Sequence, residues 1–143
     1  SFNQNISGWN VSNVTNMSRM FSEAIAFNGD ISGWNVSNVT SMYLMFSGPF
    51  SGGMVFNSDI SGWNVSNVTN MGFMFNRSVS FNQDISGWNV SKVTDMSFMF
   101  CQASAFNQDL SGWCVSLIPS APSSFDSSAS SWVLPRPVWG TCP

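Results

Sequence analysis

Acidic residues recur at one phase along the chain: Asp30, Asp59, Asp84 and Asp109, with Asn5 at the equivalent first position. Three chemistries fit such a series. Neighbouring carboxylates could act as an acid/base pair. They could share calcium with the carbonyls of Asn28, Asn57, Asn82 and Asn107. They could also accept hydrogen bonds from the amides of their own turns. Each Asp stands directly before Ile/Leu-Ser-Gly and four residues before a Trp, so turn stabilisation is the expected role and calcium the alternative. The chain has no His, which excludes Ser/His/Asp, Cys/His and metal–histidine sites. No catalytic residues are expected, and no cofactor other than calcium.

Asparagine carries a second pattern. N-x-S/T triplets begin at Asn5, Asn10, Asn13, Asn16, Asn35, Asn38, Asn64, Asn67, Asn76 and Asn89. In a secretory pathway each is a glycosylation acceptor. The same triplets also arise automatically from a repeated NVSNVT. Asn10, Asn35, Asn64 and Asn89 would form one column, and Asn13, Asn38 and Asn67 another. At a spacing of about 4.8 Å between neighbours, glycans on every position would crowd, so a partly occupied Asn ladder is expected. Thr15, Thr40, Thr69 and Thr94, beside Ser12, Ser37, Ser66 and Ser91, add hydroxyl columns that could meet an ordered surface such as ice or a crystalline polysaccharide.

These residues are placed by a repeat. Trp9, Trp34, Trp63, Trp88 and Trp113 step by 25, 29, 25 and 25 residues, and Phe2, Phe27, Phe56, Phe81 and Phe106 step identically. Such a period belongs to a solenoid whose turns bury their apolar face by stacking on one another. The expected turns are 2–26, 27–55, 56–80 and 81–105, with a partial fifth at 106–117. The repeat domain would thus span 1–118, and a capping segment 119–143. Within a turn, apolar residues come mostly at intervals of three, unlike either a long helix or a long strand. The expectation is one short parallel strand, near Trp88-Asn-Val, opposite a short helical or 3-10 segment over 95–100. The Trp and Phe columns and the paired Met columns (Met17, Met42, Met71, Met96; Met20, Met45, Met74, Met99) are read as core, with an exposed aromatic platform for glycans as the alternative. Gly8, Gly33, Gly62, Gly87 and Gly112 precede each Trp, as if a corner needed positive φ or close approach. The four extra residues in the second turn, near SGPFSGGMV, should bulge from one edge.

Three Cys lie in the last third of the chain: Cys101, Cys114 and Cys142. A disulfide in an extracellular setting is expected. Cys114 with Cys142 would pin the tail to the last repeat, and Cys101 with Cys114 is the alternative. The tail from Pro119 on holds five of the six Pro and many Ser, together with Phe125, Trp132 and Trp139. It reads as an extended cap. The chain starts with Ser1, in phase with later repeats, which suggests a mature or truncated piece.

Only 8% of the 143 residues are charged, with a net charge of −3, against about 25% charged in an ordinary domain. Arg19, Arg77, Lys92 and Arg136 are the whole basic complement, too little for a nucleic-acid partner. No apolar run is long enough for a membrane span.

The stretch FNQDISGWNVSKVTDMSFMF at 81–100 resembles the repeat of bacterial and algal surface proteins described as BspA-like, the DUF285 or mycoplasma lipoprotein-type class, relatives of leucine-rich repeats. The resemblance runs from 2 to about 115, and WCVS followed by PRPVWGTCP looks like the end of such an array. It implies a right-handed, leucine-rich-repeat-like solenoid, secretion or surface display, and adhesion to protein or glycan ligands without enzyme activity. The expected function is a recognition module using the Asn/Ser/Thr faces. Alternatives are a filament subunit assembled end to end and a binder of ice or crystal surfaces.

Overall fold

The structure, a computed structural model, describes residues 2–143. Successive repeats lie directly on one another, each contributing one rung. Three isolated parallel bridges join them, Asn16 to Ser41, Ser41 to Asn70 and Asn70 to Asp95. The parallel pairing therefore falls just before each Met pair and not at Trp88-Asn-Val. Among the described residues no helix and no strand longer than a single bridge occurs.

The backbone explains why. In the first rung the N–H groups of Met17, Arg19, Phe21 and Glu23 donate to the carbonyls of Ser41, Tyr43, Met45 and Ser47 in the next rung at 2.8–3.0 Å. The intervening N–H groups of Met20, Ser22 and Ala24 donate three residues back, to Met17, Arg19 and Phe21, at 3.0–3.2 Å. Alternate amides thus bond along the stack and within the turn. Left-handed residues make the alternation: Arg19, Leu44, Phe73 and Phe98, then Glu23, Arg77 and Gln102, have φ between 56° and 63°. Each costs roughly 1–2 kcal/mol in a non-glycine residue, offset by the inter-rung bond that its own N–H makes. Helix geometry over 95–100 is interrupted at Phe98 for this reason.

The rest of each rung is two tight turns. Ile6 accepts from Trp9 at 3.0 Å and Val11 from Val14 at 2.9 Å, and the equivalents recur at Ile31–Trp34 and Val36–Val39. The glycines before each Trp need neither positive φ nor close approach: a Cβ at Gly8, Gly33, Gly62, Gly87 or Gly112 would meet open space. The expectation for them is corrected, and nothing in the structure requires glycine there.

Side chains thrown inward by the turns form the core. Phe27, Phe56, Phe81 and Phe106 stack as one column and Phe46, Phe75 and Phe100 as another, all fully buried. The columns mesh, with Phe46–Phe56 and Phe75–Phe81 centroids 4.0 Å apart and nearly coplanar rings. Each interior Trp donates its indole N–H to the Ile carbonyl one rung earlier: Trp34 to Ile6, Trp63 to Ile31, Trp88 to Ile60 and Trp113 to Ile85, at 3.0–3.2 Å. A bulky apolar body with a polar tip suits this site. No buried side-chain polar atom among the described residues lacks a partner.

The extra residues of the second turn sit on the third rung's edge. A Cβ at Gly48 would lie 2.7 Å from the Arg77 carbonyl and one at Gly53 2.6 Å from Val79, so both loop bases need glycine for contact. Between them Phe50 projects, 90% exposed, beneath the Arg77 guanidinium at 4.3 Å.

The ladder runs past the expected boundary at 118. Phe98, Phe100 and Gln102 donate to the carbonyls of Ser123, Phe125 and Ser127 at 2.7–2.9 Å, and Ser124 and Ser128 have positive φ like their counterparts. Residues 119–134 thus continue the rungs in degenerate form. The remaining tail folds back, with Leu110 donating to Pro135 and Val115 to Thr141. The disulfide formed is Cys114–Cys142, the tail-pinning pair. Cys101 is free and buried.

Candidate functional site

Several of the triplets that read as glycosylation signals also lock their own turns through the asparagine Oδ1. The Asn10 side-chain Oδ1 accepts from the Ser12 N–H at 3.1 Å and from the Ser12 hydroxyl at 2.6 Å. Asn35–Ser37, Asn64–Ser66 and Asn89–Ser91 repeat this, and Asn5–Ser7 does the same one turn earlier. A second acceptor set uses Asp: Asp30, Asp59, Asp84 and Asp109 each take the N–H of the Ser two residues on at 2.9–3.0 Å. Ser closes the lock because it offers an amide and a hydroxyl to one oxygen. The clue to the lock was already present in the sequence, since Asp stands in the same triplet at 30, 59, 84 and 109.

The Ser hydroxyl, and after it the Ser amide, holds the carboxyls of Asp30, Asp59, Asp84 and Asp109 below the ordinary carboxylate range. The Asn carbonyls assigned with them to calcium are engaged elsewhere. Asn28 Oδ1 accepts from Asn57 N–H at 2.8 Å, Asn57 from Asn82 at 2.9 Å and Asn82 from Asn107 at 2.8 Å. Asn107 ends this ladder by accepting from both Val133 and Leu134. Among the described residues no group of three or more His, Cys, Asp or Glu gathers as a metal cluster.

The remaining Asn residues divide by environment. Asn38 and Asn67 spend their Nδ2 on the Ser12 and Ser37 carbonyls one rung earlier, at 2.8 Å. Lys92 takes the next place in that column and donates to Asn67 Oδ1 at 2.8 Å. Asn76 is buried, its amide directed to the Ser47 hydroxyl, which removes it from the exposed acceptors. Asn13 and Asn16 are exposed, and Asn16 Oδ1 accepts from Ser18 N–H. Asn10, Asn35, Asn64 and Asn89 are exposed with their Oδ1 engaged. Their Nδ2 groups have no partner among the described residues. Thr40, Thr69 and Thr94 flank them, each hydroxyl donating to the preceding Thr carbonyl at 3.2 Å.

The outcome is an exposed row of four amide donors, one per rung, in rigid and identical turns. Beside it lies a row of Thr hydroxyls whose protons are committed to the backbone. Burial pushes the Cys101 thiol up, against the nearby Arg77, so this thiol stays protonated at neutral pH. No helix among the described residues is long and apolar enough to cross a membrane.

The chain matches the family model described as "Mycoplasma protein of unknown function, DUF285" over residues 1–51 and 47–133. That match ends where Val133 closes the asparagine ladder. No curated protein and no solved structure matches the chain. With the greater part of its length covered, the chain belongs to the DUF285 family.

Proposed function

We propose that the chain is a secreted or surface-displayed recognition module, a short leucine-rich-repeat-like solenoid whose amide row takes a protein or glycan ligand. The observation that carries this reading is the row of Asn10, Asn35, Asn64 and Asn89. Four donors stand outward at one rung spacing, and the Oδ1 of each is already held by its own turn. Fixed donors lose little freedom on binding, which favours recognition of a ligand with its own periodic acceptors. The Cys114–Cys142 disulfide supports an oxidising, extracellular setting. Secretion would also expose the same four amides to glycosylation, which would close the row.

The test uses a substitution that spares the turn. Asn35→Asp, Asn64→Asp and Asn89→Asp together keep the Oδ1 acceptor, as Asp59 and Asp84 do naturally, and remove the amide donors. Binding to immobilised polysaccharides and surface proteins should be saturable for the parent chain. It should fall about tenfold or more for the triple variant at unchanged unfolding midpoint. Absence of saturable binding, or binding indifferent to the substitutions, would overturn the reading.

A further inference from the structure

Only one asparagine in the chain is followed by glycine, Asn28 before Gly29. Every other asparagine precedes a residue with a side chain, Val in the NVS and NVT triplets. Within the ladder the residues that follow Asn28, Asn57, Asn82 and Asn107 are Gly29, Ser58, Gln83 and Gln108. The side-chain carbonyls themselves are held alike. Asn28 Oδ1 accepts from the Asn57 N–H at 2.8 Å and from the Ser58 hydroxyl at 3.0 Å. Asn57 Oδ1 takes the Asn82 N–H and Gln83 Nε2, and Asn82 Oδ1 takes the Asn107 N–H and Gln108 Nε2, all at 2.8–3.1 Å. The Asn28 side chain is exposed. Neither its Nδ2 nor the Gly29 N–H has a partner among the described residues.

This arrangement suits attack of a main-chain nitrogen on the neighbouring side-chain amide. Hydroxide removes the Gly29 N–H proton, and the nitrogen adds to Asn28 Cγ. The charge that develops on Oδ1 falls on two donors already in place. Collapse breaks the Cγ–Nδ2 bond, and the nitrogen leaves as ammonia after taking a proton from water. The closed ring is a succinimide. Water opens it at Cγ to give aspartate, or at the main-chain carbonyl carbon to give isoaspartate. The Ser58 hydroxyl also lies 2.9 Å from the Asn28 main-chain oxygen, so it reaches the oxygens of both carbonyls. One water is consumed and one ammonia released, and no oxidant or reductant is needed. Glycine matters on two counts. It lets the backbone turn as the ring closes, and a Cβ here would press on the Phe27 ring at 3.0 Å.

We infer that Asn28 is a self-modification site, converted through Gly29 in the folded protein while the other asparagines persist. Aspartate at position 28 keeps an acceptor for the Asn57 N–H and adds a carboxylate two residues before Asp30. Isoaspartate reroutes the main chain through Cβ and Cγ, which breaks the bond to Asn57 and loosens the second rung from the third at this edge. Neither product touches the amide row.

Peptide mapping of the folded protein, incubated at mildly alkaline pH below its melting temperature, tests this. The peptide holding Asn28 should gain one mass unit and split into aspartate and isoaspartate forms, the latter confirmed by enzymatic methylation. Its conversion should be about tenfold or more faster than that of Asn57, Asn82 or Asn107, and should quicken as pH rises. Gly29→Ser, which copies the residue after Asn57, should slow conversion about tenfold or more. Gln83→Gly should confer conversion on Asn82, whose Oδ1 keeps the Asn107 N–H and Gln108 Nε2 as donors. An unchanged Asn28 peptide, conversion spread equally over the ladder, a rate indifferent to Gly29→Ser, or an inert Asn82 in Gln83→Gly would each overturn the inference.

Discussion

Trp9 and Trp113 occupy the same place in the same motif at opposite ends of the stack, and their surroundings differ completely. Trp113 is 1% exposed and bonded through its indole to Ile85, whereas Trp9 is 54% exposed. Phe2 at the first rung is 41% exposed, while Phe106 in the same column is fully buried. The far end is closed by a change of geometry. Interior rings stack face to face, but Trp132 meets Phe100 and Phe106 edge-on at 75° and 81°, and Trp139 meets Phe125 at 82°. Edge-on rings end a parallel column and leave no flat face for another. The difference teaches that a repeat's stability lies in its neighbours and not in its own sequence.

The sharpest break of that comparison is in the aromatic columns. Phe75→Ala should cost about 3–5 kcal/mol, and Phe2→Ala about 1 kcal/mol or less, read as urea midpoints at constant slope. Equal costs would mean that the ends and the interior do not differ. Next comes the closed end itself. Replacing Cys114 and Cys142 together with Ser should lower stability by about 2–4 kcal/mol, and limited proteolysis should then cut first between 132 and 142. A smaller effect isolates one hydrogen bond. Trp63→Phe removes the indole donor from the Ile31 carbonyl, which keeps the Trp34 N–H, and should cost about 0.5–1.5 kcal/mol, while Trp9→Phe should change stability by less than about 0.5 kcal/mol.

The smallest effect is that of pH. Asp30, Asp59, Asp84 and Asp109 have folded pKa values below the ordinary value. Their contribution is therefore complete above the unfolded carboxylate value of about 3.9 and is lost as pH falls through the lower folded values. All four are solvent-screened. Thermal melts should be flat from neutral pH to about pH 5 and decline modestly below about pH 4, less so in Asp59→Asn.

The period, the columns and the Cys114–Cys142 pair were readable because each is written in side chains. Phe, Trp and Met mark the core at fixed phase, and of Cys114–Cys142 and Cys101–Cys114 only the first pins the tail. What escaped was written in the backbone. The rung through Ser123, Phe125 and Ser127 is held by main-chain carbonyls, so a Ser- and Pro-rich composition looked like a separate cap. Left-handed Phe73 and Phe98 have no residue-type signature, since glycine was the expected bearer of positive φ. The turn lock in the Asn triplets was legible only through their Asp-containing copies, since Asp30, Asp59, Asp84 and Asp109 take the same Ser amide.

Native-state hydrogen exchange resolved by residue tests the central claim most directly. The account predicts the slowest exchange at Leu44, Phe46, Phe73 and Phe75, whose amides bond along the stack in its interior. Arg19 and Phe21, in the first described rung, should exchange faster, and Ser124, Asp126 and Ser128, whose N–H groups have no partner among the described residues, close to the unprotected rate. Uniform protection from the first rung to the last, or slow exchange at Ser124, Asp126 and Ser128, would contradict it.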